Sequence, residues 1–289
     1  MSKRTVAVLS LVLVMTIWGS SFAITKTSLS TIPPVLLALL RFAVASVLLL
    51  PIAQLRGGTA RLQRPIAWST ITLMGLTGVT LYYIGYNVSL YYISASQAVL
   101  LQSAIPAVTA FLAFVFLRER LSAKRVAGIG ISLIGVALVM IAAAPAGGAS
   151  HTLLGNVLMA GTTILWAAYT ILAKRLAASD QLVVTAYSTV AGTVMLAPIA
   201  VWEVLPKPVP AFSANDWISV LYLGAISTAG GYWLYNRSLQ QLQASQTSAF
   251  INLMPVVGIA TAVIFLGETL VLWQIAGAAF VLIGTWLST

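Results

Sequence analysis

The amino-acid sequence predicts an all-α integral membrane protein of ten transmembrane helices, arranged as two inverted repeats of five helices each. The composition, the length of the apolar runs and an internal repeat predict this fold class. Of the 289 residues, 60% are hydrophobic and only 7% are charged, and the mean hydropathy is +1.00. A soluble protein has about 25% charged residues, so this chain has too few charges to cover a water-exposed surface. The composition therefore excludes a large cytosolic enzyme.

The apolar residues form ten runs of roughly 20 residues, and each run is long enough to cross the hydrocarbon core of a bilayer. The first run follows Lys3 and Arg4 and resembles a signal peptide. It is too long for one and shows no clear small-residue cleavage site, so we expect it to be retained. The predicted spans are 5–26, 33–55, 66–92, 95–117, 123–142, 153–173, 181–202, 216–240, 244–266 and 271–287.

The distribution of Lys and Arg predicts the orientation, because cytoplasmic loops are enriched in these residues. With the N-terminus in the cytoplasm, twelve of the fifteen Lys and Arg residues fall in cytoplasmic segments. Only Lys26 and Lys207 fall outside, and Arg41 lies within a span. Both termini are therefore predicted to be cytoplasmic. The net charge of +10 does not indicate a nucleic-acid partner, because the basic residues lie between apolar runs.

An internal repeat divides the sequence into two halves. Residues 75–135 align without a gap to residues 224–284, and 21 of the 61 positions are identical. The earlier part of the chain follows at an offset of 148, which pairs Trp18 with Trp166 and Lys26 with Lys174. The identities include polar residues, which shared apolar composition does not explain.

The repeat predicts three parts: a five-span repeat over 1–141, a linker over 142–151 and a second five-span repeat over 152–289. Because five is an odd number, the second copy must enter the membrane from the opposite side. In transporters, such an inverted repeat places a substrate near the middle of the bilayer, where the halves meet. A duplicated scaffold without transport is the alternative.

A family resemblance is carried by four runs: TIWGSSFAITK, LLALLRFAVAS, ISASQAVLLQSAIPAVTAFLAFVFLRERLS and LQASQTSAFINLMPVVGIATAVIFLGETL. They resemble the two repeats of the EamA type in the drug/metabolite transporter superfamily. The resemblance implies a 5+5 inverted-repeat fold and a multi-pass exporter of metabolites in the bacterial inner membrane. Within the superfamily, the chain is most similar to the amino-acid exporters, including exporters of aromatic amino acids.

Charged side chains deep in a span are costly and therefore indicate function. Only Arg41 meets this criterion, and it either contacts a substrate carboxylate, forms a structural pair or extends to the headgroups. The chain has no cysteine and one histidine, His151, which we place in a loop, so no metal site and no cofactor are expected. No carboxylate lies deep within a span, which argues against an exporter of cationic drugs. A single arginine is too few to bind the phosphate of a phosphorylated substrate. A zwitterionic or weakly polar small molecule fits best.

Aromatic residues are the main candidates for lining a substrate site. Tyr232 and Tyr235 are the repeat counterparts of Tyr83 and Tyr86, and these clusters either gate the cavity or pack helices. Trp18 and Trp166 lie near the middle of their spans, away from the interfaces that tryptophan prefers. The aromatic candidates are Trp18, Tyr82, Tyr83, Tyr86, Trp166, Tyr232 and Tyr235.

Two prolines are predicted to interrupt the fourth and ninth spans. A proline inside a helix cannot donate to the carbonyl four residues earlier, so Pro106 and Pro255 free carbonyls that a cavity has to satisfy. Gln102, Ser103 and Asn252 lie beside these breaks and are candidates for binding a substrate ammonium or carboxylate. A kink that only shapes the helix is the alternative.

The sequence thus favours an alternating-access exporter of amino acids that functions as a monomer in the lipid bilayer. A multidrug or cationic-compound exporter of the same superfamily is the alternative. An intramembrane enzyme is remote, because no nucleophile–base pair or deep carboxylate pair is present. The exact substrate, the energy coupling and the preferred access state are not determined by the sequence.

Overall fold

The computed structural model describes residues 2–62, 68–119, 122–141, 149–206 and 211–288. In this part of the chain all regular structure is helical and no strand occurs. Most of the predicted linker 142–151 lies outside the described residues. We label the helical segments in chain order: α1 (Lys3–Ser28), α2 (Pro34–Leu55), α3 (68–92), α4 (Ala95–Leu117), α5 (Ala123–Ile141), α6 (Ala149–Arg175), α7 (Gln181–Val204), α8 (214–238), α9 (Ala244–Leu266) and α10 (Leu272–Ser288).

Six of the described helices are long and apolar enough to cross a membrane, by length and composition: α1, α2, α4, α6, α7 and α9. Helices α5 and α10 contain the shorter apolar stretches Val126–Met140 and Leu272–Gly284. Large apolar side chains are exposed on the outside of the bundle; Leu55 is 89% exposed and Phe265 76%. Such an apolar exterior suits contact with lipid rather than water.

Two segments contain turns of π-helix. In α3, the π-helix Leu76–Leu81 separates the α-helices Trp68–Gly75 and Tyr82–Tyr92. In α8, the longer π-helix Tyr222–Gly230 occupies the equivalent position. A π-helix hydrogen-bonds each N–H to the carbonyl five residues earlier, and such segments often occur at functional sites.

Segments α4 and α9 are broken near their prolines. In α4 the first helix ends at Gln102, and a second helix, Ile105–Leu117, has Pro106 in its first turn. In α9 the 3-10 helix Phe250–Leu253 precedes the helix Met254–Leu266, which has Pro255 in its first turn. The prolines thus lie at the starts of helices and not in their interiors. A residue in the first turn does not need its N–H for a hydrogen bond within the helix, so proline is tolerated there.

The two ends of the bundle have equivalent lysines. At the end where α1 terminates, Lys26 Nζ donates to the carbonyls of Leu90 and Ile93, at 2.6 and 2.9 Å. At the other end, Lys174 Nζ donates to the carbonyls of Leu239 and Leu242, at 2.7 and 2.8 Å. Those residues lie near the start of α1, where Ser238 Oγ donates to the Ala7 carbonyl. Equivalent residues of the two sequence repeats therefore lie at opposite ends of the bundle.

Helices α5 and α10 pack closely through glycines. A Cβ on Gly135 would lie 2.6 Å from the Gly277 carbonyl oxygen, and one on Gly284 would lie 2.4–2.5 Å from backbone atoms of α5. Glycine at these positions permits the close approach of two helix backbones. His151 lies within the first turn of α6 and stacks on Tyr92, with ring centroids 5.3 Å apart. The prediction that it lies in a loop was wrong, because α6 begins before the apolar run does.

Candidate functional site

A narrow cavity of about 30 Å³ lies between the helices, with lining residues from both sequence repeats. Helix α1 lines it through Trp18, Ser21 and Phe22, one helical turn apart on one face. Helix α3 contributes three tyrosines and α2 contributes the only charged residue. The full lining is Trp18, Ser21, Phe22, Arg41, Tyr82, Tyr83, Tyr86, Gln102, Ile105, Trp166, Ser227, Ile251 and Met254.

Aromatic rings of the cavity lining are in mutual contact. The rings of Trp18 and Trp166 meet edge to face with centroids 5.0 Å apart, and Tyr82 lies 5.2 Å from Trp166. Contacts at these distances stabilise aromatic pairs and leave no gap for another ring. A substrate with an aromatic side chain therefore requires the tryptophans to separate.

Arg41 is the charged residue of the cavity, and it is only 2% exposed. Its Nε donates to Thr228 Oγ1 at 2.9 Å and its Nη2 donates to Ser227 Oγ at 3.1 Å. The guanidinium carbon lies 4.4 Å from the centre of the Tyr83 ring, an arrangement that favours a cation. Hydroxyl groups and a ring face hold the guanidinium in place, but they supply no negative charge.

The five carboxylates of the chain all lie at helix ends. Glu268 accepts from the N–H groups of Ala95 and Ser96, and Glu203 accepts from those of Val35 and Leu36. The remaining contacts are Glu119 with Ala244 and Ser245, Asp180 with Leu182, and Asp216 with Thr31 and Ser213. None lines the cavity. Among the described residues, the buried positive charge of Arg41 is thus without an ionic partner.

Carbonyls within the two π-helices accept hydrogen bonds from aromatic side chains. The indole N–H of Trp18 donates to the Ser227 carbonyl at 2.8 Å, and the Tyr232 hydroxyl donates to the Gly78 carbonyl at 2.7 Å. Gly78 and Ser227 are equivalent positions of the repeat. Each π-helix therefore supplies one acceptor, at the same place, to an aromatic residue of the other repeat.

A layer of tyrosines closes the cavity on the side of the Lys174 end. Tyr169 stacks on Trp166 at 5.0 Å, and Tyr232 meets both Tyr169 and Trp166 edge to face. The Tyr169 hydroxyl accepts from Asn236 Nδ2 at 2.7 Å, and the Tyr235 hydroxyl shares a hydrogen bond with Thr170. All three tyrosines are fully buried, so they form a packed layer behind the tryptophans.

The structure brings many of the predicted site residues together. Those that line the cavity are Trp18, Arg41, Tyr82, Tyr83, Tyr86, Gln102 and Trp166. Gln102 pairs with the Tyr82 hydroxyl at 2.7 Å. The predicted residues Tyr232 and Tyr235 lie in the tyrosine layer behind the tryptophans.

Other predicted residues do not line this cavity. Ser103 Oγ donates to the Val99 carbonyl of its own helix at 3.1 Å. Asn252 is partly buried, and its Oδ1 has no hydrogen-bond donor among the described residues. Pro106 and Pro255 act only through the helix breaks described above.

Several residues of the site were missed by the sequence analysis. Ser21 and Phe22 follow Trp18 by three and four residues, and Tyr169 follows Trp166 by three, so helical spacing was a usable signal. Ser227 and Thr228 gave no such signal, because their role depends on how α8 packs against α2. In the part of the chain that the structure describes, no group of three His, Asp or Glu residues could hold a metal ion.

Comparison with known proteins gives consistent results. The EamA-like transporter family matches residues 5–141 and 153–289. A transporter of Archaeoglobus fulgidus is 30% identical over 283 residues, with 96% of each chain covered. A probable terminal-alkyne amino-acid exporter of Streptantibioticus cattleyicolor is 29% identical, over 99% of this chain and 94% of that protein.

A probable amino-acid metabolite efflux pump of Salmonella typhimurium is 28% identical, over 96% of this chain and 92% of that protein. One solved crystal structure has the same fold, with a TM-score of 0.72 at 21% identity, covering 99% of this chain and 98% of the other. The family matches both halves of the sequence, and the relatives align over nearly its whole length. The chain therefore belongs to the EamA-like transporter family, whose members are multi-pass membrane proteins.

Proposed function

We propose that the protein is an alternating-access exporter of amino acids, with aromatic ones favoured, in the bacterial inner membrane. All ten helical segments cross the bilayer, both termini lie in the cytoplasm, and a single chain carries the complete site. Two relatives, named as exporters of an amino acid and of amino-acid metabolites, support this substrate class.

The observation that carries the proposal is the buried guanidinium of Arg41 in an aromatic cavity. A buried charge without a partner is costly, and no carboxylate of the protein lies near it. A substrate carboxylate supplies the missing charge and accepts two parallel N–H bonds from the guanidinium. The aromatic rings of Trp18 and Trp166 supply the surface for an apolar or aromatic side chain.

The inverted repeat supports alternating access. Equivalent elements lie at opposite ends of the bundle, so exchanging their conformations opens the site toward the other side. The tyrosine layer lies toward the end that carries Lys174, which the distribution of Lys and Arg assigns to the cytoplasm. Opening this layer admits substrate from the cytoplasm, and closing it precedes release outside.

The alternative, an exporter of cationic drugs, receives less support. A cation is normally bound by a buried carboxylate, and here every carboxylate caps a helix or lies at a helix end. Arg41 would repel a cationic compound in the same cavity. An intramembrane enzyme is not supported either, because the relatives are transporters and the cavity has no nucleophile beside a base.

Counterflow into proteoliposomes tests the proposed function. Vesicles loaded with unlabelled phenylalanine should accumulate labelled phenylalanine, and Trp166→Ala should reduce the initial rate at least tenfold because this ring forms part of the site. Trp202→Ala is the matched control, because Trp202 is 77% exposed on the outside of the bundle. No uptake above that of empty liposomes by the folded protein would refute transport of aromatic amino acids.

A further inference from the structure

The net charge of the cavity indicates which charge a substrate should bring. Arg41 contributes one positive charge, and no lining residue contributes a negative one. A zwitterionic amino acid in this cavity brings no net charge, so the complex keeps an uncompensated positive charge. A monocarboxylate without an ammonium group makes the complex neutral. Burial in a region of low dielectric favours the neutral complex.

The hydrogen-bonding capacity of Arg41 points in the same direction. A guanidinium has five N–H donors, and among the described residues two of them have acceptors, one on Nε and one on Nη2. Nη1 has no acceptor among the described residues. The remaining donors suit the two oxygens of a carboxylate, which binds arginine through parallel hydrogen bonds.

The same cavity offers little to an ammonium group. The Ser227 carbonyl already accepts from Trp18, and the Ser21 hydroxyl already donates to Ser227 Oγ at 2.9 Å. The Gln102 amide is paired with Tyr82. Neutral hydroxyl oxygens, which keep acceptor lone pairs, and ring faces remain for a cation, and the guanidinium shares the cavity with it. The α-ammonium of an amino acid thus gains no ionic contact on binding.

We propose that the site recognises the carboxylate of its substrate and binds apolar or aromatic monocarboxylates. This inference rests on the proposed function. The carboxylate binds Arg41, and the apolar part lies among Trp18, Trp166 and the tyrosines. A monocarboxylate that lacks the α-ammonium binds at least as tightly as the amino acid with the same side chain. Metabolites of amino acids that have lost the amino group are therefore substrates of the same cavity.

Titration calorimetry on the protein in lipid nanodiscs tests this with three probes that share a phenyl group. These are 3-phenylpropionate with only the carboxylate, phenylalanine with both groups, and 2-phenylethylamine with only the ammonium. Empty nanodiscs correct for partition into lipid. We expect 3-phenylpropionate to bind with a dissociation constant equal to or below that of phenylalanine, and 2-phenylethylamine to bind at least tenfold more weakly.

Substitution of Arg41 provides a second test. Arg41→Gln keeps a hydrogen-bond donor for the Ser227 and Thr228 hydroxyls, and it should weaken binding of 3-phenylpropionate at least tenfold. Arg56→Gln, at an exposed arginine, should leave binding unchanged. The melting temperature of each variant shows whether it is folded, and the probe comparison on the unsubstituted protein does not depend on any variant.

The outcomes separate the two proposals. If phenylalanine binds and is transported but 3-phenylpropionate does not bind, the ammonium is required and the carboxylate inference is wrong, while the proposed function stands. If 2-phenylethylamine binds as tightly as 3-phenylpropionate, Arg41 does not select the ligand and the inference is also wrong. If none of the probes binds to the folded protein, the carboxylate inference and the proposed preference for aromatic amino acids both fail.

Discussion

Gly78 shows how a single residue shapes the site. A Cβ at this position in the π-helix of α3 would overlap the ring of Tyr169. Tyr169 has little freedom to move, because its ring stacks on Trp166 and its hydroxyl is held by Asn236. The repeat counterpart of Gly78 is Ser227, which faces the small Ser21. Glycine therefore permits the tyrosine layer to form on one side of the tryptophans, while two serines leave space on the other.

We predict that Gly78→Ala destabilises the protein by about 1–3 kcal/mol, the usual cost of overpacking a core, and lowers counterflow of phenylalanine. Thermal unfolding in detergent and counterflow measure the two effects. Gly161→Ala is the matched control, since a Cβ there meets nothing within 4 Å and alanine favours a helix over glycine. Equal melting temperatures for the two variants would contradict the role of Gly78.

At the residue scale, the sequence predicted the large side chains of the site better than the small ones. Trp18 and Trp166 were found because tryptophan in mid-span is unusual, and Arg41 because a charge within a span is costly. Ser227 and Thr228 are common helix residues, and only the packing of α2 against α8 brings them to the guanidinium. No property of the residues themselves distinguishes them before the helices are assembled.

At the scale of the elements, carboxylates from each repeat cap helices of the other. We call Lys26, Glu268 and the adjacent ends of α3 and α4 the Lys26 cluster. Glu268 accepts from the Ala95 and Ser96 N–H groups at 2.7 and 2.8 Å. A carboxylate at a helix N-terminus is stabilised by the unpaired N–H groups and by the helix dipole. This cluster joins the second repeat to the α3–α4 hairpin.

The Lys174 cluster is its repeat equivalent at the other end, formed by Lys174, Glu119 and the adjacent ends of α8 and α9. Glu119 accepts from the Ala244 N–H at 3.2 Å and from the Ser245 hydroxyl at 2.6 Å. Both clusters are formed in this structure. Since the α3–α4 and α8–α9 hairpins carry residues of the cavity, releasing one cluster favours opening at that end.

We predict that Glu268→Gln and Glu119→Gln shift the access equilibrium in opposite directions. Ser21→Cys, in a chain without native cysteine, reports access to the cavity through its rate of labelling by a membrane-impermeant reagent added outside intact cells. Glu268→Gln should raise this rate about fivefold, as loss of about 1 kcal/mol of capping energy implies. Glu119→Gln should lower it. The same direction of change in both variants would show that the clusters only stabilise the fold.

The positions of the helices could be predicted from the sequence, but their internal breaks could not be predicted fully. The apolar runs place the helices to within a few residues, as for α2 and α4. The π-helices Leu76–Leu81 and Tyr222–Gly230 have no distinctive composition, because a shift from four-residue to five-residue hydrogen bonding depends on tertiary contacts. The sequence therefore did not predict the π-helix carbonyls that accept from Trp18 and Tyr232.

At the scale of the whole molecule, the fold is duplicated but the site is not. The counterparts of Arg41, Gln102 and Ser21 are Thr189, Ile251 and Tyr169. These polar side chains of the cavity thus occur only in the first repeat. The tyrosine layer occupies the equivalent position in the second repeat. Under the proposed alternating-access mechanism, the repeated helices would supply two related conformations of the bundle, and the diverged side chains would supply one binding site for both.

The last prediction follows from the inversion of the repeats, which places equivalent positions on opposite sides of the membrane. Ser30, after α1, and Ala178, after α6, differ by the repeat offset of 148 and are both exposed. With cysteine placed at one position at a time, an impermeant maleimide added to intact cells should label Ser30→Cys and spare Ala178→Cys. Permeabilised cells should show labelling of both, which controls for reactivity. Labelling of both from outside would mean parallel repeats, and labelling of Ala178→Cys alone would mean that the N-terminus lies outside the cell.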